Sequence, residues 1–265
     1  MAKGSGRLLA RIGALALIAL LAAPSGLALQ AQPVMPPACV MTGSRVLVEE
    51  RSALVSVDPV TGARTSLPVH EPHRVVALGA SGIVLIEDSW SRWSLLAVTG
   101  GEVVRLAEPV AAALLLSRAA TRPPPRWVVE RELKADAIAY RVVERRSGAT
   151  VTAVSFPRRI ELAASASNPD GRYFIHVQAN NVASEVAIVD ARTTRRRSVT
   201  LPHDAPLAAF AISLTFNPDG SCLAISMERE GGAAPESWAL DLTSDTSAPR
   251  PVDWGSVLAW VTPSE

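Results

Sequence analysis

Apolar and polar residues alternate in short runs along most of the chain after residue 40. Gly, Pro, Asp and Ser bound these runs, and a period of two is typical of strands that bury one face. Helical periodicity is hard to find, so the pattern predicts an all-β protein. The clearest predicted strands cover residues 45–49, 53–57, 83–87, 95–98, 127–130, 141–144, 173–177, 185–189, 223–227 and 238–242.

Five similar turns recur along the sequence, with reference positions Gly62, Gly101, Gly148, Thr194 and Asp245. Their spacing is about 40 to 50 residues, the length of a four-stranded propeller blade. We therefore predict a β-propeller of five four-stranded antiparallel blades. A six-bladed ring with one degenerate blade and a β-sandwich are the alternatives.

The ends of the chain predict how the ring closes. Predicted inner strands lie at residues 75–78, 111–116, 160–165, 210–214 and 257–261. The first blade has only three strands of its own, so the C-terminal strand 257–261 is expected to complete it. Closure of this kind removes the unpaired sheet edges that promote aggregation.

Two turn motifs resemble those of known propellers. The run Asn168-Pro169-Asp170-Gly171 recurs one blade later as Asn217-Pro218-Asp219-Gly220. These turns resemble the Pro-Asp-Gly turn of bacterial TolB-like propellers, and the Asp-Pro-x-Thr-Gly turn at residues 58–62 resembles that of their YVTN-type relatives. The resemblance covers about half of the chain and implies WD40-like repeats.

The N-terminus has the three-part pattern of a secretory signal peptide. Lys3, Arg7 and Arg11 precede an apolar run at residues 12–23, and small residues follow it. The run is shorter than the roughly 20 residues of a membrane-spanning helix. We predict a signal peptide at residues 1–32, cleaved near Ala28 or Ala31, a lead-in at 33–43 and one propeller domain at 44–265. No later stretch reaches transmembrane length.

Charge and cysteine content fit an exported protein. The formal net charge is +1, and loss of the three cations of the signal peptide leaves the mature chain slightly acidic. This balance gives no support to nucleic acid as a partner, and we interpret the basic run 195–197 as a solvated turn between strands. Cys39 and Cys222 could form a disulfide in an oxidising compartment.

The predicted inner strands carry little catalytic chemistry. Glu161 is the one charged residue among them, whereas a glycosidase needs two carboxylates. His70, Glu71 and His73 would need a further ligand to bind zinc. We therefore predict no catalytic residue, metal or cofactor, and keep a propeller-fold hydrolase, either glycan-active or a metal-dependent lactonase, as the alternative.

One turn of the second predicted blade combines Trp90, Arg92 and Trp93. Trp and Arg are enriched at binding hot spots, so these residues are the candidate binding site. In the alternative interpretation, Trp93 packs between blades and Trp90 covers the rim. The other tryptophans, at 127, 238, 254 and 260, are predicted to pack in the core.

The predicted function is that of an exported, non-catalytic module in the periplasm or outside the cell. It would bind an envelope protein or a small ligand, or serve as a structural subunit of an envelope assembly.

Overall fold

A computed structural model describes residues 35–36, 39–40, 43–78, 82–121, 123–157, 162–179, 184–202, 209–229 and 234–262. The predicted signal peptide and Glu161 lie outside these residues. In chain order the elements are β1 Arg45–Glu50, β2 Ala53–Val57, β3 Arg64–His70, β4 Pro72–Ala77, β5 Ile83–Asp88, β6 Trp93–Ala97, β7 Val103–Leu106, α1 Glu108–Thr121, β8 Trp127–Leu133, β9 Ala137–Glu144, β10 Thr150–Pro157, β11 Leu162–Ser167, β12 Tyr173–Ala179, β13 Ser184–Asp190, β14 Arg195–Leu201, β15 Ala209–Phe216, β16 Cys222–Arg229, β17 Glu236–Asp241, β18 Arg250–Val252 and β19 Ser256–Val261.

The strands form the five antiparallel sheets of a five-bladed propeller, as predicted. From the inner to the outer strand, blade 1 is β19-β1-β2-β3, blade 2 is β4-β5-β6-β7, blade 3 is β8-β9-β10, blade 4 is β11-β12-β13-β14 and blade 5 is β15-β16-β17-β18. The predicted closure is also confirmed, because β19 pairs with β1 in a register that places Val261 opposite Arg45.

Blade 3 differs from the prediction of four strands in every blade. Its described sheet has three strands, and residues 111–116, predicted as its inner strand, belong to α1. Pro109 lies in the first turn of the helix, where its missing N–H costs no hydrogen bond. Alanine and leucine fill the next turns, and both strongly favour helix. Local helix propensity therefore outweighs the strand position that the repeat assigns to this segment.

Matching turns connect the inner two strands of blades 4 and 5. Asn168 Oδ1 accepts a hydrogen bond from Tyr173 N at 2.8 Å, and Asn217 Oδ1 accepts one from Cys222 N at 2.9 Å. Gly171 and Gly220 have φ values of 78° and 74°, a left-handed conformation that glycine adopts at little cost. The Pro-Asp-Gly repeat thus encodes the same turn twice.

The basic run at residues 195–197 begins strand β14 and is not the solvated turn that we predicted. Successive side chains of a strand point to opposite faces. Arg196 accordingly lies over the ring of Phe156 in blade 3 at 5.0 Å. Arg195 and Arg197 contact blade 5 instead, through Asp245 and through backbone carbonyls. The three cations therefore join blades 3, 4 and 5.

Apolar clusters join four of the five neighbouring blade pairs in the described part of the chain. Trp127, Trp238, Trp254 and Trp260 are buried in these clusters, as predicted. Representative members are Leu47 and Ile86 between blades 1 and 2, Phe174 and Tyr140 between blades 3 and 4, Ile175 and Ile225 between blades 4 and 5, and Val46 and Ala224 between blades 5 and 1. No such cluster joins blades 2 and 3 among these residues.

A disulfide joins Cys39, which precedes the first strand, to Cys222 at the start of β16. The two Cα atoms lie 5.1 Å apart, and both side chains are fully buried in the cluster between blades 5 and 1. The bond therefore fixes the lead-in segment to blade 5.

Within the part of the chain that the structure describes, no helix combines the length and hydrophobicity needed to cross a bilayer.

Candidate binding surface

The candidate residues Trp90 and Arg92 lie in the loop between β5 and β6. Because strands alternate in direction, this loop shares a face of the propeller with the connection from blade 1 to blade 2. Two hydrogen bonds join them: Ser89 N donates to Glu71 O at 3.0 Å, and Ser89 Oγ donates to Glu71 Oε2 at 2.5 Å. The loop is thus tied to the neighbouring blade.

Asp88 holds the Trp90 loop in one conformation. Its Oδ1 accepts hydrogen bonds from Trp90 N at 3.0 Å and Arg92 N at 2.9 Å, and its Oδ2 accepts one from Arg92 Nε at 2.7 Å. Desolvation opposes ionisation of this carboxyl, but the hydrogen bonds from Arg92 and Trp90 outweigh it and lower the pKa of Asp88. An ionised Asp88 therefore orders the loop at neutral pH.

Trp90 is 73% exposed and is the one aromatic residue among the exposed large hydrophobic side chains of the described residues. Trp93 is half-buried at the start of β6, where it pairs with Glu87 and Leu106. The structure therefore places Trp90 and Arg92 on one ordered loop and assigns Trp93 to the sheet of blade 2.

The side of blade 2 that faces blade 3 continues from Trp93. Cross-strand pairing puts Leu85, Leu95 and Val104 on the same face as Trp93, because residues two apart in a strand share a face. Helix α1 lies against β6, and its Ala111 is fully buried. The helix thus covers part of blade 2 where blade 3 would otherwise pack.

Several exposed apolar side chains lie on α1 and on the sides of blades 2 and 3 that face each other. Leu116 on α1 is 72% exposed, and Val128 on β8 is 38% exposed. Of the nine exposed large hydrophobic residues of the described chain, Ile83 and Val104 lie on the face of blade 2 turned towards blade 3, Val128 lies on the face of β8 turned away from blade 4, and Val110 and Leu116 lie on α1. This surface gave no signal in the sequence, because the repeat assigns residues 111–116 to an inner strand.

A cleft of about 480 Å³ lies between blades 4 and 5 on the opposite face and is rich in arginine. Arg172 Nε and Nη2 donate to the two carboxylate oxygens of Asp190 at 3.2 and 2.9 Å, and Arg195 pairs with Asp245 at 2.7 Å. Arg197 donates to two backbone carbonyls of blade 5, and burial lowers its pKa. Each of these three guanidiniums has an acceptor within the fold, so the cleft is primarily a polar seam between blades.

The described inner strands offer no carboxylate for hydrolysis. None of β4, β11, β15 and β19 contains Asp or Glu. His70 ends β3 and His73 lies in β4, and Glu71 between them accepts the Ser89 hydroxyl. No group of three potential metal ligands forms among the described residues.

His176, which the sequence analysis did not select, is buried between blades 3 and 4. Its ring stacks on Phe156 with centroids 4.1 Å apart, and its Nδ1 has no hydrogen-bond partner among the described residues. Burial, followed by the nearby charges of Arg131 and Arg196, lowers the pKa of His176 from 6.5 to about 4. The neutral imidazole is therefore part of the packed interface.

Replacing His176 with phenylalanine should reduce the loss of stability in acid. The unfolded chain binds a proton near pH 6.5 and the folded protein only near pH 4, so this group stabilises the fold above pH 6.5 and the contribution is lost as the pH falls to 4. We expect the wild type to lose about 2–3 kcal/mol more than His176→Phe over this range. Urea unfolding at both pH values measures the difference.

The control for this experiment is His73→Phe, which makes the same substitution at an exposed histidine. Equal acid sensitivity of the wild type and His176→Phe would contradict the prediction.

No protein-family model matches the chain, and neither does any curated protein. The chain is similar to several solved structures at low identity. Hydrazine synthase from Kuenenia stuttgartiensis is 11% identical over 78% of this chain and 62% of that one, with a TM-score of 0.32. A chain of the nidogen/laminin complex is 10% identical over 84% and 99%, with a TM-score of 0.33. TolB from Acinetobacter baumannii is 15% identical over 80% and 52%, with a TM-score of 0.28. Scores this low carry no argument, so the fold assignment rests on the strand pairing.

Proposed function

We propose that the protein is an exported, non-catalytic β-propeller that binds a protein partner in the cell envelope through the loop carrying Trp90. The observation that supports this function is an indole 73% exposed on a loop fixed by Asp88. Lys3, Arg7 and the apolar run at residues 12–23 support export to the periplasm or the cell exterior.

A fixed, exposed tryptophan favours binding for two physical reasons. An indole removes a large apolar area from water when a partner covers it, and it keeps a polar N–H for recognition. A loop already held in its bound conformation also loses little conformational entropy on association. Arg92 lies beside Trp90 and adds a cation to the rim of the same surface.

Trp90→Ala is expected to weaken partner binding by about tenfold or more, the usual loss for a hot-spot tryptophan. Proteins crosslinked to a tagged copy in the native host would be quantified by mass spectrometry for the wild type and the variant. Val60→Ala is a matched control, because Val60 is exposed on the opposite face. Its N–H likewise donates a hydrogen bond to an aspartate, Asp58 Oδ1, at 2.9 Å. The control should retain the partner.

Retention of the same partner by Trp90→Ala would overturn the assignment of this surface. Hydrolysis of a chromogenic glycoside or lactone by the purified protein would favour the alternative, a glycan-active or metal-dependent propeller hydrolase. N-terminal sequencing of the protein from the periplasm tests export separately, with the mature chain expected to begin shortly after Ala28 or Ala31.

A further inference from the structure

Blade 3 has a free strand edge at its inner side. Every other blade has an inner strand beside the strand that corresponds to β8, whereas in blade 3 the segment that precedes β8 is the helix α1. Among the described residues, β8 pairs with β9 and with no strand on its other side. Within the described residues, the backbone groups on this inner side of β8 therefore have no strand partner.

The register identifies which residues of β8 face this edge. Arg145 N donates to Arg126 O at 2.8 Å before the strand, and Lys134 N donates to Ala137 O at 2.8 Å after it. These two pairs and the pairs of β8 with β9 belong to one continuous register. Hydrogen-bonded pairs alternate along an antiparallel ladder, so the even-numbered residues bond to β9. The odd-numbered ones, including Val129 and Arg131, point their N–H and C=O groups to the free edge.

Side chains around this edge are suited to an apolar strand. Val128 is exposed on the face of β8 turned away from blade 4, and Ile83 on blade 2 and Leu116 on α1 are exposed too. The two acidic side chains of β8 are already paired, Glu130 with Arg141 at 2.9 Å and Glu132 with Lys134 at 4.0 Å. The edge thus presents backbone donors and acceptors beside apolar surface, with no unpaired acidic side chain.

We propose that the free edge of β8 binds an extended, predominantly apolar segment of a partner protein, which supplies the missing inner strand of blade 3. Strand addition of this kind takes its affinity from main-chain hydrogen bonds and its specificity from alternate side chains. The chain's own inner strands show the chemistry that suits this position: β15 reads AFAISLTF and β19 reads SVLAWV. This docking edge extends the proposed function to a surface separate from the Trp90 loop.

The test uses a fluorescein-labelled synthetic peptide that carries the β15 sequence between lysines. Fluorescence anisotropy should show saturable binding to the full-length protein, and a photocrosslinker placed at Val128 should capture the peptide, whereas one placed at Val60 should not. Arg131→Pro removes an N–H from the free edge without touching the ladder to β9. We expect it to weaken binding about tenfold, and Arg131→Ala by less than about twofold.

A second control keeps the test decisive if Arg131→Pro fails to fold. A peptide N-methylated at alternate residues retains its side chains but cannot pair as a strand, and it should not bind. Equal binding of the methylated peptide, equal binding to the proline and alanine variants, or capture at Val60 alone would each overturn the proposal. A dimer that Arg131→Pro dissociates would show that a second copy occupies the edge, which would also overturn it. Because Trp90→Ala leaves this edge intact, failure here is distinguishable from failure of the Trp90 surface.

Discussion

Replacing Cys39 and Cys222 together with alanine is expected to lower the free energy of unfolding by about 4 kcal/mol. The bond closes a loop with a sequence separation of 183 residues, and the entropy that a crosslink removes from the unfolded chain grows with the length of that loop. Both sulfurs also belong to the buried cluster between blades 5 and 1. Loss of the bond therefore releases the lead-in segment from blade 5.

Urea unfolding of the two proteins, with and without reductant, measures this effect. The wild type in reductant should fall to about the stability of the double variant, and the variant itself should not respond to reductant. A shared midpoint for the variant and the oxidised wild type would show that the bond does not contribute to stability.

Gly171→Ala is expected to cost about 3 kcal/mol or more, although it adds a single methyl group. Gly171 has a φ of 78°, where a side chain is disfavoured by roughly 1–2 kcal/mol. A Cβ at this position would also collide with the backbone carbonyl oxygen of Trp127. That oxygen belongs to the first residue of β8, so it can move only if the interface between blades 3 and 4 shifts.

Gly148→Ala separates these two contributions. Gly148 has a φ of 70°, close to that of Gly171, but a Cβ there would meet no atom within 4 Å. We expect it to cost about 1 kcal/mol, so the difference between the two variants in urea unfolding reports the collision alone. Equal losses would mean that the two blades separate easily at this point.

Most of the fold could be predicted from the alternation of apolar and polar side chains. It predicted the strands of blade 1 and the pairing of residues 257–261 with the first strand, which β19 and β1 confirm. The helix α1 was not predicted because residues 110–116 are apolar without interruption. Such a run shows neither the period of two of a strand nor the period of 3.6 of a helix. Its alanine and leucine content was the signal that favoured helix.

The candidate site was only partly predictable. Residue type and turn position selected Trp90 and Arg92, but sequence could not show that Asp88 fixes their loop. Nothing in the sequence indicated that His176 is buried. A polar residue in an alternating strand is predicted to be exposed, but both faces of a strand inside a propeller can be buried. The prediction of a solvated turn at residues 195–197 was wrong for a related reason. The pleat of the strand divides these cationic side chains between two blade interfaces.

Pairing of β19 with β1 also affects the order in which the molecule can fold. The two strands lie roughly 200 residues apart, and native structure that depends on distant contacts forms slowly. While the chain emerges from the ribosome, blade 1 lacks its inner strand, and the disulfide partner of Cys39 is also still to come. Nascent protein should therefore remain sensitive to proteolysis until β19 has been synthesised. For the export proposed above, such a delay would keep the polypeptide unfolded long enough to pass through a secretion channel.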